Sequence, residues 1–239
     1  KQKKKNYVFC NLNNLKKLKS ILNCLEIDAI INLAAEVNFY KKTKDMYKIN
    51  ASCPYEIAKF CKRKDIHFIQ ASGTIVNGLH KIYSKRTKFN PVNHYGKSKL
   101  MGEKLIKKTK CKYSILRFGG IYGKNGPNHL GINKFIKTAQ KRKKIVFNGN
   151  KKSLRNYIFV KDAANFILNC LKNKKYGIFY IGGEVISFEK MLKHINKTFN
   201  KGKNIFFARK EKIKLDNQIV KTDKLVKFTR FSKSLKLIK

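Results

Sequence analysis

The chain reads as an α/β protein organised around a parallel sheet. Short apolar runs rich in β-formers alternate with stretches of helical periodicity, at a spacing that suits right-handed crossover connections. Residues 27–33 (IDAIINL) form a run apolar enough for a strand covered on both faces. Small residues stand just where such runs end, at Ala34-Ala35, Ser72-Gly73-Thr74 and Gly119-Gly120. In a parallel sheet, ligands sit outside the C-terminal strand ends, and small residues there let a ligand approach the backbone.

Taken in order, residues 6–10 (YVFCN) predict a short strand. A helix over about 12–25 follows, with Leu12, Leu15, Leu18, Ile21, Leu22 and Leu25 on one stripe. After strand 27–33 the pattern predicts a helix over 44–64 with Met46, Ile49, Ile57, Ala58 and Cys61 inward, and a buried strand at 67–71. A loop over 78–93 leads into a helix over 93–108, and strand 113–118 (YSILRF) closes this half. Beyond residue 123 the texture changes to a Gly/Pro loop, a helix over 131–142 and short strands near 145–147 and 157–160. Helix 162–172, strand 178–182, helix 187–199 and strand 204–208 complete the pattern. The expected division is 1–123 and 124–239, the second part a smaller lobe partly interleaved with the sheet.

Composition narrows the function classes. The 239 residues suffice for one substantial core, and 42% hydrophobic content argues against global disorder despite a net charge of +44. Nucleic-acid readers favour the planar fork of arginine, yet this chain has 50 lysines and seven arginines. With 24 asparagines and many isoleucines, the lysine excess reflects AT-rich codons, leaving only weak, non-specific polyanion binding at low salt. Six scattered cysteines contain no Cys-x-x-Cys pair and the five histidines have no metal-ligand spacing, so no metal is expected and the setting is a reducing cytoplasm. No apolar run approaches the ~20 residues of a membrane span, and there is no secretory signal pattern.

The chemistry concentrates in residues 93–108, NHYGKSKLMGEKLIKK. Tyr95 and Lys99 are four apart and share a helix face. An ammonium beside a phenol favours the phenolate and lowers its pKa from about 10. Tyr-x-x-x-Lys also starts at Tyr40, Tyr55 and Tyr157, so only context distinguishes Tyr95.

That context resembles the extended short-chain dehydrogenase/reductase family, specifically its nucleotide-sugar epimerases, dehydratases and reductases. The segments that carry the likeness are 31–39 (INLAAEVNF), Asn50, 70–78 (QASGTIVNG), 93–99 (NHYGKSK), 116–123 (LRFGGIYG) and 147–164 (FNGNKKSLRNYIFVKDAA), in family order. The resemblance implies a Rossmann-like doubly wound sheet, an NAD or NADP cofactor and a nucleotide-sugar substrate. Tyr95 would then be the general acid or base, and Lys99 would hold the nicotinamide ribose. The family's catalytic Ser/Thr position falls on Gly73, so Ser72 or Thr74 takes its place. Asn11, Leu33, Ala34, Ala35, Asn50, Gly120 and Ile121 would line the cofactor, and Ser72, Asn128 and Arg155 the substrate. Arg155 would meet the diphosphate; the next residue, usually Asp in the family, is Asn156, and the usual substrate-binding Asn after strand 113–118 is Gly119 or Gly120. Asp162 is expected to start its helix without a chemical role.

The family's Gly-rich turn is not among these residues. The resemblance therefore implies an N-terminally truncated sheet, with a preceding βαβ unit lying upstream. A homodimer pairing helices 44–64 and 94–108 fits the family manner. The alternatives are a non-catalytic remnant of the same family or a basic polyanion-binding protein.

Overall fold

A computed structural model describes residues 7–202, 205–207, 213–223, 225 and 227–239. The chain forms two compact units, one comprising the chain up to Ala71 with Pro91–Ile115, the other Ser72–Asn90 with Leu116–Lys239. This differs from a single cut at residue 123, because the chain leaves the first unit at Ala71 and returns to it at Pro91.

The first unit begins with helix α1 (Leu15–Asn23), whose N-terminus is capped by the Asn14 side chain accepting from the Lys17 amide. Strand β1 (Ala29–Asn32) pairs in parallel with β2 (His67–Gly73), Ala29 opposite His67. The helix expected over 44–64 is divided into a five-residue π-helical turn, Lys48–Ser52, and helix α2 (Cys53–Lys64). Pro54 in the first turn of α2 has no N–H to donate, which is harmless there and disruptive further in. Helix α3 (His94–Lys108) starts at Asn93, whose side chain accepts from the Gly96 amide at 2.9 Å. Strand β4 (Tyr113–Phe118) matches the expected bounds.

Two expectations fail here. Residues 7–10 form no strand, and Tyr7 and Phe9 are both 85% exposed. A strand needs a hydrogen-bonded neighbour, and among the described residues this segment has none. Residue 6 lies outside the described residues. Strand β1 is also not covered on both faces, since Ile31 is 40% exposed. It stands at one end of the four-stranded order β1-β2-β4-β9 and so has a neighbour on one side.

The second unit holds the short parallel pairs β3 (Ile82–Tyr83) with β12 (Ile219–Val220), β5 (Ile121–Tyr122) with β8 (Ile158–Phe159), and β6 (Ile145–Phe147) with β11 (Ile205–Phe207). Strand β7 (Leu154–Arg155) pairs antiparallel with β10 (Ile186–Ser187), and β9 (Gly177–Ile181) joins the main sheet. Helices α4 (Gly131–Gln140), α6 (Phe188–Phe199) and α7 (Phe231–Lys236) supply residues to a core that includes Tyr122, Ile132, Ile145, Phe147, Ile195 and Leu235, while α5 (Val160–Lys172) packs Phe166 against Phe179 of β9. Positions 204 and 208 of the expected last strand lie outside the described residues. Asp162 stands in the first turn of α5, as expected, and is buried. Its carboxylate accepts from both the amide and the hydroxyl of Thr229 at 2.9 Å. Ion pairs among the described residues use Glu56, Asp65, Glu189, Asp216 and Asp223, so a few acids gather lysines from a large surplus. No helix among the described residues is long and apolar enough to cross a membrane, and no His/Cys/Asp/Glu group among them could hold a metal ion.

Candidate active site

In the first unit the decisive contact is between backbones. A Cβ added at Gly102 would lie 2.2 Å from the carbonyl oxygen of Asn50. Only a glycine lets α3 come this close to the π-helical turn. One helical turn before Gly102, Ser98 meets the Asn50 side chain, which donates to Ser98 Oγ at 3.0 Å. Ser98 Oγ in turn donates to the Tyr95 carbonyl at 2.8 Å. Asn50 also accepts from the Glu36 amide at 2.9 Å and donates to the Glu36 carbonyl at 2.8 Å. The segment after β1, Ala34-Ala35-Glu36, is thereby tied to the first turn of α3. Ala34 donates its amide to Asn32 Oδ1 at 3.1 Å, which fixes the strand end further.

Lys99 is 5% exposed, and its Nζ donates to the carbonyl of Ala71, at the end of β2, at 2.7 Å. Burial pushes its pKa down to about 8, a shift opposed by the nearby Glu103 carboxylate. Tyr95 is half-buried, its ring edge-on to Phe39 at 5.3 Å. Among the described residues its hydroxyl has no hydrogen-bond partner, and burial raises the phenol above its ordinary 10. This corrects the expectation that Lys99 lowers the pKa of Tyr95. The ammonium is directed at a backbone carbonyl, and burial of the phenol raises its pKa. Of the other residues expected at the cofactor, Leu33 is 63% exposed and Asn11 caps the turn before α1 through the Asn13 amide.

The second unit has its own cleft, of about 180 Å³, lined by Thr74, Gly119, Gly120, Arg155, Tyr157 and Gln218 among others. The Tyr157 ring lies against Gly120, where an added Cβ would be 2.5 Å from a ring carbon. Arg155 reaches this cleft, but its guanidinium is engaged. Nη1 donates to the carbonyls of Leu154 and Asp216, and Nη2 to the Asp216 carboxylate at 2.5 Å. The buried Asn156 clamps Val220, donating to its carbonyl and accepting from its amide, both at 2.8 Å. Ser72 is buried at the end of β2, and Ile121 is half-buried in β5. Asn128 is exposed, accepts from Lys137 Nζ at 2.8 Å, and is not among the cleft-lining residues.

Sequence reasoning named Tyr95, Lys99, Asn50 and Arg155 but gave no role to Ser98, Gly102, Tyr157 or Asp216. Gly102 carried a legible signal, a glycine one turn beyond Ser98 on the same helix face. Asp216 carried none, since it stands 61 residues from Arg155.

Residues 3–211 match the family model described as RmlD substrate binding domain. The chain belongs to that family. The RmlD family lies within the extended short-chain dehydrogenase/reductases, and the parallel-sheet α/β architecture agrees. The chain is 27% identical over 192 residues to a dTDP-D-glucose 4,6-dehydratase of Dictyostelium discoideum, covering 71% of this chain and 44% of that protein. It thus spans less than half the length of that curated relative. A putative epimerase from Burkholderia cenocepacia superposes with a TM-score of 0.83 at 16% identity, over 97% of this chain and 80% of that one. UDP-glucuronic acid 4-epimerase from Bacillus cereus, solved with UDP-glucuronic acid and NAD, gives a TM-score of 0.77 at 22% identity, over 95% and 78%.

Proposed function

We propose that this chain acts on a nucleotide-sugar in an NAD- or NADP-dependent epimerisation, dehydration or reduction. The reading is carried by the brace that holds Tyr95 and Lys99, in which Asn50 joins Ser98 on α3 to the backbone of Glu36. Such a brace positions a proton-transfer group and the strand end beside it in advance of the reaction. The dehydratase relative and the epimerase solved with UDP-glucuronic acid and NAD support the substrate class and the cofactor.

The residues present fit a nicotinamide dinucleotide. Ala34 and Ala35 carry no bulk beyond Cβ at the end of β1, and Lys99 uses one ammonium proton on Ala71, leaving two donors for a ribose hydroxyl. When bound, the cofactor would accept or supply the hydride. The protein's part is to place and protonate. Tyr95, held neutral by burial, donates its proton to a sugar oxygen and recovers it in the reverse direction. Lys99, whose charged form the nearby Glu103 carboxylate favours, holds the nicotinamide ribose. Of the two hydroxyls considered for orienting the substrate oxygen, we assign the role to Thr74. Its hydroxyl lacks a partner among the described residues, whereas Ser72 is already engaged by the protein.

The test is turnover of a nucleotide-sugar by wild type and Tyr95→Phe. Loss of a positioned acid–base group lowers turnover by roughly 10²–10⁴, with nicotinamide binding retained. A variant that turns over at the full rate removes this function.

A further inference from the structure

We infer that a second cavity of the second unit, beside the C-terminal end of α6, binds a nucleoside phosphate, with the phosphates on lysines and the base against side chains of β11. The inference goes beyond the function proposed above and uses none of its residues.

Shape is the first argument. The cavity has a volume of about 580 Å³ and is lined by Lys193, Asn196, Lys197 and Lys201 together with Ile205 and Phe207. That volume lies within the ~300–1,000 Å³ of small-molecule sites. It shares no lining residue with the cleft that holds Arg155. Ile205 and Phe207 are two apart on β11, so both side chains leave the strand on one face. They are half-buried against the core, and the Phe207 ring is held edge-on to Phe147 at 6.3 Å. A fixed aromatic surface of this kind suits a flat base.

Charge and hydrogen bonding are the second. None of the lining residues is acidic. Lys193 is balanced by Glu189 at 2.9 Å, one turn earlier on α6, whereas Lys197 and Lys201 enter no ion pair among the described residues. Lysines at a helix C-terminus ordinarily answer the last carbonyls of the helix. Here the Asn196 carbonyl is already met by the amides of Asn200 at 2.8 Å and Gly202 at 3.3 Å. Asn196 itself is only 3% exposed, and its Oδ1 has no hydrogen-bond partner among the described residues. A buried acceptor without a donor is unfavourable, and the amino group or ring N–H of a nucleobase supplies that donor. A bare phosphate would leave Phe207 and Asn196 unused. A ring without phosphate would leave the lysines unused.

The experiment is calorimetric titration of the full chain with ATP, adenosine and inorganic triphosphate at about 0.15 M salt, where charges more than ~8 Å apart are largely screened. A chain of net charge +44 attracts anions everywhere, so two double variants of equal charge separate local from global binding. Lys197→Gln with Lys201→Gln weakens ATP by roughly 10-fold. Lys16→Gln with Lys17→Gln, on exposed positions of α1, changes it less than about 2-fold. Wild type binds ATP roughly 10-fold more tightly than inorganic triphosphate, because the base adds stacking, and adenosine more weakly still. Hydrogen exchange in the presence of ATP slows at the amides of 193–202 and 205–207. Equal binding of ATP and inorganic triphosphate makes the cavity an anion site only and overturns the inference. So do equal losses in the two double variants, unchanged exchange over these residues, or no binding of ATP. Each of these outcomes leaves the Tyr95→Phe test of the proposed function standing.

Discussion

Lys99 donates its ammonium to the backbone carbonyl of Ala71 at 2.7 Å, while the phenol of Tyr95, one helical turn away, has no hydrogen-bond partner among the described residues. The ammonium is thus held by the end of β2 and not by the phenol. The cation is buried, and its stability contribution depends on pH.

Because burial lowers Lys99 to about 8 from 10.5, the folded state releases a proton in a range where the unfolded chain keeps it. The unfolded state then binds more protons, so this group adds stability as pH rises from about 8 towards 10.5. Wild type should gain on Lys99→Met by up to about 1.4 kcal/mol per pH unit in that window. Denaturant titrations of both proteins at several alkaline pH values measure the difference, which cancels contributions from other groups.

Gly102→Ala places a methyl 2.2 Å from the Asn50 carbonyl, a backbone atom that cannot swing aside. Overpacking of this kind costs about 1–3 kcal/mol. Separation of α3 from the π-helical turn also breaks the Asn50–Ser98 hydrogen bond, so turnover should fall together with stability. Ser98→Ala keeps the close approach and should lose turnover with a smaller stability change.

Asn156 stands where the family usually has Asp, and the structure gives a reason. Its amide donates to the Val220 carbonyl while its oxygen accepts from the Val220 amide. An aspartate cannot donate, and would set a buried carboxylate against a carbonyl oxygen. Asn156→Asp should destabilise the protein by at least ~2 kcal/mol at neutral pH, an effect that shrinks as acid protonates the new group. Thermal melts at pH 4 and pH 7 check both parts.

Asp162→Asn leaves one acceptor where Thr229 now finds two. The expected cost is about 1–2 kcal/mol. It should be local, with faster amide exchange at Thr229 and through α7, while exchange within α3 stays unchanged.

The parts of this fold that sequence made legible are those fixed by local rules. The four-residue spacing on one helix face located Tyr95 and Lys99, and the run Tyr113–Phe118 is a strand to the residue. The reading failed where the outcome depends on partners distant in the chain. Residues 7–10 have strand-forming side chains but no hydrogen-bonded neighbour among the described residues, and Ile31 is apolar yet exposed at the end of the sheet. Arg155 was recognised as the scarce arginine near the site. Its neutralisation by an acid 61 residues away follows only from the folded chain.

The scarcity of acids has a consequence for handling the protein. With 57 basic and 13 acidic residues, the basic side chains far outnumber the carboxylates that could balance them, and the folded chain concentrates a charge of +44 that the unfolded chain spreads out. Its melting temperature should therefore climb with ionic strength as counterions screen the repulsion, with sulfate or phosphate giving more than chloride.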